Sequence, residues 1–548
     1  MTTTLSHSSS NESPSEPIVQ ESRHRFPLLI ILGLVALLLI ALLMRLRTLG
    51  VQFDRDSYDE GVYWQTLRSL SSGHPLYSST FYSQPPLFIL SVFPVYILGG
   101  QTIWAARFGV AIISLLGLLG AFLLGYAVRG RMGGFVALII GITSQNYLAA
   151  SQTLQAEGPQ VAFSLLAIAF AYLWWQRPNG WKGSLYAALC TLTLVISIAC
   201  KLFGLTTIVP IALLALAQLW RIFEWPLPHF LDVVRHPQEK NENSIESENA
   251  PVRIPRIKAA QSLIVGIAVL LVASLIILLP FLGDFHALWS QVISFHNAAA
   301  KVSTRAGNSR TIINFLLSPL GAAALLGLLI ALYRREWLAL PLLAWLIASA
   351  LLLWRQMPLF NHHLVILVPV LLAMSIFAID EQFINTLRPK AHHLHVEHVN
   401  IVLDAFQKMG LFIILCTIGL GIGSDISYYQ QMHHQVTTKA TQQAIGVSQQ
   451  LQHILQPGQY VITDAQFVSG LADRNTPPDL VDTSSVHIQT GYLTSQQLIA
   501  EAQQPQVQAV LFYTGRLSQL HAFHTWVTQH YRLEQNYGKG NQLWVKIN

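Results

Sequence analysis

Of the 548 residues, 52% are hydrophobic and only 11% are charged, whereas an ordinary soluble domain is about 25% charged; a string of water-soluble domains is thereby excluded. The apolar residues fall in repeated runs of about 17–22, long enough for a helix to cross a hydrocarbon core of roughly 30 Å, and this marks a polytopic α-helical membrane protein. The formal charge of +6 is scattered over short loops between those runs, so the cations set orientation in the bilayer and form no nucleic-acid surface.

Residues 1–25 are rich in Ser, Glu, Pro and Asn and poor in large apolar side chains, the composition of a disordered cytoplasmic tail. The first span, 26–44, is too long for a signal-peptide core and lacks a small-residue cleavage pattern, so it is expected to stay as an anchor. An external loop, 48–86, follows and opens with four carboxylates, Asp54, Asp56, Asp59 and Glu60. Acids at a membrane boundary are paired, hydrated or functional. The apolar stretch 87–98 is short and interrupted by Pro94, and it reads as a re-entrant or interfacial helix.

Further spans are expected near 102–125, 133–150, 158–175, 183–200, 203–221, 261–282, 313–332, 337–354, 362–379 and 410–423, about eleven with the first and up to about 13 if shorter stretches also cross. This assignment places Arg129, Arg131, Arg177, Lys182, the basic loop 222–260, Arg334, Arg335, Arg388, Lys390 and Lys408 on one side, the cytoplasm. Loop 48–86, the junction at Glu157, loop 283–312, the turn 354–361 and everything after about 424 then share the opposite face. The first half of 283–312, with Trp289, Phe295, His296 and Lys301, suits an amphipathic interfacial helix. His392, His393, His395 and His398 form a cytoplasmic tract without acids or cysteines at ligand spacing, which favours incidental histidines over a metal site. Cys190, Cys200 and Cys416 all lie in apolar runs and offer neither a disulfide framework nor a CxxC site.

Residues 26–424 thus form a transmembrane region. From 425 to 548 Gln, Thr, Asp and His become frequent and the apolar runs shorten, as in a small soluble domain facing outwards. Helices near 433–455, 495–503 and 517–530 alternate with strands at 460–463, 510–513, 532–537 and 542–547, an α/β pattern. Neither GxGxxG nor GxxxxGK[ST] is present, so no nucleotide site is read there.

An active site on the outer face has no access to cytoplasmic nucleotide sugars and needs a donor already in the membrane, for which a lipid-linked sugar phosphate is suited. Transfer from it requires a carboxylate to take the acceptor's proton and cations or a metal to stabilise the leaving phosphate. Asp59 and Glu60 supply adjacent carboxylates, flanked by Tyr58, Tyr63 and Trp64 as a sugar-stacking wall. For the phosphate the candidates are Arg355, Lys201, Arg305 and Arg310, since an Arg fork matches two phosphate oxygens; Lys201 and Arg355 at span ends are equally read as snorkelling residues. Glu157, before Gly158-Pro159, is a helix-start acid or a third functional carboxylate. His362 and His363 open a span beside Arg355 and are read as interfacial histidines or as phosphate contacts.

The order Tyr58-Asp59-Glu60-Gly61-Val62-Tyr63, Gly73-His74-Pro75-Leu76-Tyr77, Gln84-Pro85-Pro86-Leu87 and Ala105-Ala106-Arg107-Phe108 resembles the N-terminal part of GT-C glycosyltransferases. The likeness is to glycosyltransferase family 39 and its bacterial relatives, among them protein O-mannosyltransferases and aminoarabinose transferases that modify lipid A. It covers roughly residues 26–220, and more weakly the segment from Asn361 to Pro369. The resemblance implies a GT-C membrane fold in which the Asp59-Glu60 pair in the first external loop marks the active site and Glu157 is a second acidic position. No WWxxD segment of the oligosaccharyltransferase kind is present, and nothing identifies a protein Ser/Thr acceptor.

The expectation is an integral plasma-membrane glycosyltransferase moving a sugar from a polyprenyl-phosphate donor to a lipid, glycan or protein acceptor, by inverting displacement with a carboxylate base. Asp59 is assigned as base or acceptor-orienting group, Glu60 and Glu157 as holding the acceptor or a divalent metal together with Asp59, and Arg355 as binding the donor phosphate. A lipid-sugar flippase or transporter is the alternative of another class, disfavoured by the lack of an internal repeat and of mid-membrane charge. A surface-glycan polymerase or ligase shares the donor and stays open.

Overall fold

The computed structural model describes residues 25–50, 58–223, 256–379 and 401–547. The tail 1–24, Asp54, Asp56 and the histidine tract at 392–398 therefore lie outside the described residues. The helices in the first part are α1 (Arg25–Leu46), α2 (Tyr58–Ser71), α3 (Leu87–Leu98), α4 (Ile103–Ile142), α5 (Gln145–Gln152), α6 (Glu157–Gln176), α7 (Gly180–Cys200) and α8 (Ile208–Phe223). Longer apolar helices follow at Arg256–Leu278, Pro319–Tyr333, Ala339–Arg355 and Ile401–Val436.

Among the described residues, eight helices are long and apolar enough to cross a membrane, or nine if Asn308–Leu316 and Pro319–Tyr333, bent by 69°, count as one span. This is an integral membrane protein. All the segments expected to cross are helical. Two of them escape that count for physical reasons. Helix α4 is broken where Gly130 takes φ 63°, a left-handed backbone that side-chain-bearing residues resist. Its first arm covers the expected 102–125, whereas its second ends at Ile142 and Gln145–Gln152 is a separate helix, so the segment expected at 133–150 is interrupted. Ala339–Arg355 is a single shorter apolar helix. The stretch Leu87–Leu98 is a helix of 12 residues, about 18 Å at 1.5 Å per residue and well short of a bilayer core. Its Phe88, Ile89, Val92 and Tyr96 are buried at helical spacing, while Leu98 is 88% exposed.

The expected interfacial helix is present as Phe285–Trp289, a π turn and Phe295–Val302. It buries Leu288, Val292, Phe295 and Ala299 and leaves Phe285 and Trp289 exposed, an amphipathic i, i+4, i+7 pattern.

The C-terminal part is built on a four-stranded sheet, β1 (Tyr460–Thr463), β2 (Val507–Phe512), β3 (Tyr531–Gly538) and β4 (Asn541–Lys546), in the order β1-β2-β4-β3. β1 and β2 run parallel and the other pairs antiparallel. Alternate residues serve opposite faces. Val461, Ala509, Leu511 and Leu543 pack with Val447 and Leu451 of the helix Lys439–Ile454. Ile462, Val510, Phe512 and Trp544 pack with Leu498, Phe523 and Val527 on the other side. The α/β pattern expected for this region is observed, although residue 425, its expected start, falls inside the helix Ile401–Val436.

Helix α2 is fastened to this sheet domain. Gln65 Nε2 donates to Ser469 Oγ at 2.8 Å and to the Arg474 carbonyl at 3.0 Å, and Arg68 bonds Asn475 Oδ1 at 2.7 Å and Asp473 at 2.8 Å. Gly61 permits the close approach, because a Cβ there would lie 2.4 Å from the backbone nitrogen of Phe467. Gly61→Ala is therefore expected to cost about 1–3 kcal/mol through overpacking, read as a lower melting temperature and faster proteolytic release of the sheet domain from purified protein.

Candidate active site

A cavity of about 770 Å³ opens where α2, the start of α6, the turn after α7, the segment before Asn361–Leu367 and the sheet domain meet. Tyr58 and Asp59 reach it because the helix starts at Tyr58, and the acids in its first turn suit the positive end of the helix dipole. Asp59 remains 42% exposed within the cavity. Its carboxyl lies above its ordinary range, first because the surrounding protein excludes water; the imidazole of His362 opposes this rise and Glu157 adds to it.

Glu157 and Lys201 meet because α6 and α7 are antiparallel and are locked by buried hydroxyls. Ser164 Oγ lies 2.8 Å from Ser197 Oγ and 2.9 Å from Thr207 Oγ1. Lys201 Nζ donates to Glu157 Oε1. His362 Nε2 lies 3.5 Å from the same oxygen and 3.8 Å from Asp59 Oδ2, and His363 Nε2 lies 3.6 Å from Glu157 Oε1. Asp59, Lys201, His362 and His363 line the cavity, and the buried Glu157 is bonded to Lys201 and close to both imidazoles, although these groups come from four separate stretches of chain.

Several expected site residues are placed elsewhere. Successive residues on a helix point about 100° apart, so Glu60 does not act beside Asp59. Arg107 takes both of its oxygens, Nε to Oε1 at 2.6 Å and Nη2 to Oε2 at 2.7 Å, and the Leu154 N–H donates to Oε1 at 2.8 Å. Glu60 borders the cavity with its charge already paired, which corrects its assignment to acceptor or metal. Trp64 is buried with its ring 5.5 Å from that of Phe467 and forms no sugar wall; its face belongs to the contact with the sheet domain. Tyr63 does line the cavity, and Tyr58 does too with Arg516 on its ring. Arg355 ends its helix exposed and does not line the cavity, which corrects the donor-phosphate role expected of it. Arg305, whose guanidinium is 5.3 Å from the Trp354 ring, and Arg310 are likewise exposed outside it.

Of the three carboxylates proposed as metal ligands, only Glu157 belongs to a group with ligand spacing. Glu157, His362 and His363 offer donor atoms within 4.8 Å of one another. Two features of that set do not fit a divalent cation as the side chains stand. Lys201 occupies Glu157 Oε1, and the Phe360 N–H donates to His363 Nδ1 at 3.3 Å, which leaves a neutral ring's proton on Nε2, facing Glu157 as a donor. The arrangement is that of a carboxylate held by a lysine and two imidazoles.

Residues 63–236 match a family model described as dolichyl-phosphate-mannose-protein mannosyltransferase. The crystal structure of ArnT from Cupriavidus metallidurans in the apo state matches with a TM-score of 0.56 at 15% identity, covering 95% of this chain and 98% of that one. The chain has the GT-C glycosyltransferase fold. The structure of the same ArnT bound to undecaprenyl phosphate matches with a TM-score of 0.54 at 12% identity over the same shares of the two chains. No curated protein sequence matches.

Within this GT-C frame the cavity holds groups that sequence reading passed over. His296, noted only as part of an amphipathic stretch, lines it; its Nδ1 lies 2.9 Å from the Val292 carbonyl, and burial pushes its pKa down to about 4, so the ring is neutral near pH 7. Asp482, Ser484, Ser485 and Arg516 come from the sheet domain, and no spacing in the sequence connects them with α2.

The Glu60–Arg107 pair makes a direct test of its structural role. Arg107→Leu alone leaves a buried carboxylate uncompensated and is expected to cost about 3–5 kcal/mol. Removing both charges with Glu60→Leu and Arg107→Leu should recover at least half of that loss, measured as thermal unfolding of detergent-purified protein.

Proposed function

We propose that the chain transfers a sugar from a polyprenyl-phosphate donor to a hydroxyl or amine of a lipid, glycan or protein acceptor at the outer face of the cell membrane. The observation that carries this reading is a cavity-facing carboxylate, Asp59, set 3.8 Å from His362 in a cluster that also holds Lys201 and Glu157. Such a cavity has both parts that displacement at a phosphate-linked sugar requires, a base and a cationic cradle. The family description that matches 63–236 names a dolichyl-phosphate sugar, and one of the ArnT structures holds undecaprenyl phosphate; both support a lipid phosphate as the donor's carrier.

In this reading the donor phosphate sits against Lys201 and His362, with its chain along the apolar wall of Leu205, Leu352, Met357 and Pro358. The acceptor enters beside Asp59. As its oxygen or nitrogen bonds to the anomeric carbon, the bond from that carbon to the phosphate oxygen breaks with inversion. The acceptor's proton passes to Asp59, and the lipid phosphate leaves with the electron pair. Glu157 keeps Lys201 and the two imidazoles in place and moderates their charge, so the phosphate is held and can depart. The transmembrane catalytic region 26–424 carries the chemistry through loop 48–86, while the sheet domain closes the cavity; the distribution of Lys and Arg puts that end outside.

Asp59→Asn is expected to lower transfer by about 10²–10⁴-fold, the usual worth of a general base, with the melting temperature within a few degrees of the parent. The assay is transfer of radiolabelled sugar from polyprenyl phosphate into a membrane extract by purified protein, and near-normal transfer would sink the reading. The pH profile gives a second check. A base works only when deprotonated, and Asp59 is raised above its ordinary value of 3.8, so activity should fall with acid at a pH above the ordinary carboxylate range. A kcat/KM profile that stays flat down to about pH 4 contradicts it.

A further inference from the structure

Arg355, Arg305 and Arg310 lie outside the cavity, and Lys201 inside it is already paired with Glu157. Arg516 differs from all of them. It lines the cavity from the sheet domain, and its guanidinium stands 4.1 Å from the centre of the Tyr58 ring. No carboxylate among the described residues forms an ion pair with it. The nearby Asp482 is engaged elsewhere, since its Oδ1 accepts from the Tyr58 hydroxyl and from the Ser484 N–H, both at 2.9 Å.

The segment that presents Arg516 is held rigidly. Asp464, fully buried after β1, accepts four backbone N–H groups through its two oxygens. Tyr513 and Thr514 donate to Oδ1 at 2.8 and 2.9 Å, and Arg516 and Leu517 donate to Oδ2 at 2.8 and 3.1 Å. A carboxylate that accepts several backbone donors fixes a turn firmly. Tyr58 is fixed in turn by its bond to Asp482, so the guanidinium has an aromatic platform beneath it. A stacked, pre-organised guanidinium without an ion-pair partner is suited to a bidentate oxyanion.

We infer that Arg516, stacked on Tyr58, is an oxyanion-binding residue contributed by the sheet domain to the membrane cavity, taking a phosphate or carboxylate group of one of the two substrates. This deepens the glycosyl-transfer reading and rests on it for the identity of the substrates. The site lines the same cavity as Lys201 and His362. It also gives the sheet domain a part in substrate selection.

The test measures binding without turnover, so it stands apart from any failure to detect sugar transfer. Full-length protein in phosphatidylcholine nanodiscs is titrated with undecaprenyl phosphate and, separately, with inorganic phosphate, for the parent, Arg516→Lys and Arg516→Gln. Loss of a charge-assisted contact is expected to weaken binding about 10–100-fold in Arg516→Gln, with Arg516→Lys intermediate because it keeps the charge and loses the fork. Weakening for the lipid phosphate, with or without free phosphate, assigns the site to the donor; weakening for free phosphate alone assigns it to an anionic acceptor group. Parent-like affinity for both probes in Arg516→Gln overturns the inference. If that variant does not fold, parent-like affinity for both probes in Arg516→Lys overturns it instead.

Discussion

The ion pair between Arg107 and Glu60 is the contact on which the site's placement depends. Two charges in a low-dielectric interior are costly unless each is fully bonded, and here both are. Arg107 grips Glu60 with two parallel bonds and reaches the Leu49 carbonyl at 2.9 Å, while Glu60 also accepts the Leu154 N–H. One buried pair thus ties together the end of the first span, helix α2, the first arm of the broken helix and the approach to Glu157. Asp59 owes its position to its neighbour, because the helix turn that buries Glu60 against Arg107 turns Asp59 into the cavity.

A second constraint acts from the other side. Helix α2 is pressed between the membrane bundle and the sheet domain, with Trp64 and Gly61 against Phe467 and with Arg68 reaching Asp473. An aromatic group at the cavity rim completes the join, where the Phe81 ring stacks on His487 at 4.2 Å and Phe295 meets Phe81 edge-on at 5.6 Å. The interfacial helix, the external loop and the sheet domain therefore form one frame around the cavity. Chemistry at such a site depends on fixed partners, and the frame provides them.

The Glu157 cluster shows how the same few charges serve binding and structure. Lys201 and two imidazoles converge on one carboxylate oxygen, so the net charge presented to a ligand is smaller than three donors suggest. In the proposed reaction a lipid phosphate at this cluster would meet a cation already partly neutralised by Glu157. Arg516 takes no part in that cluster and stacks instead on Tyr58.

The membrane class, most of the helical segments expected to cross, the amphipathic stretch near Phe295 and the strands of the final domain were legible in the chain, because hydrophobic period and run length are local properties. The first-loop acids were legible too, since charge beside an apolar run is conspicuous. Their division of labour was not. Whether Asp59 or Glu60 faces the cavity depends on Arg107, 47 residues away, and the exclusion of Arg355 and Trp64 follows from helix rotation and packing that no spacing records. His296 and Arg516 reach the site from an interfacial helix and a separate domain. Sequence by itself determined which segments prefer lipid and which prefer water; only the tertiary structure decided which charges neutralise one another and which are left for a substrate, because that depends on distances between segments far apart in the chain.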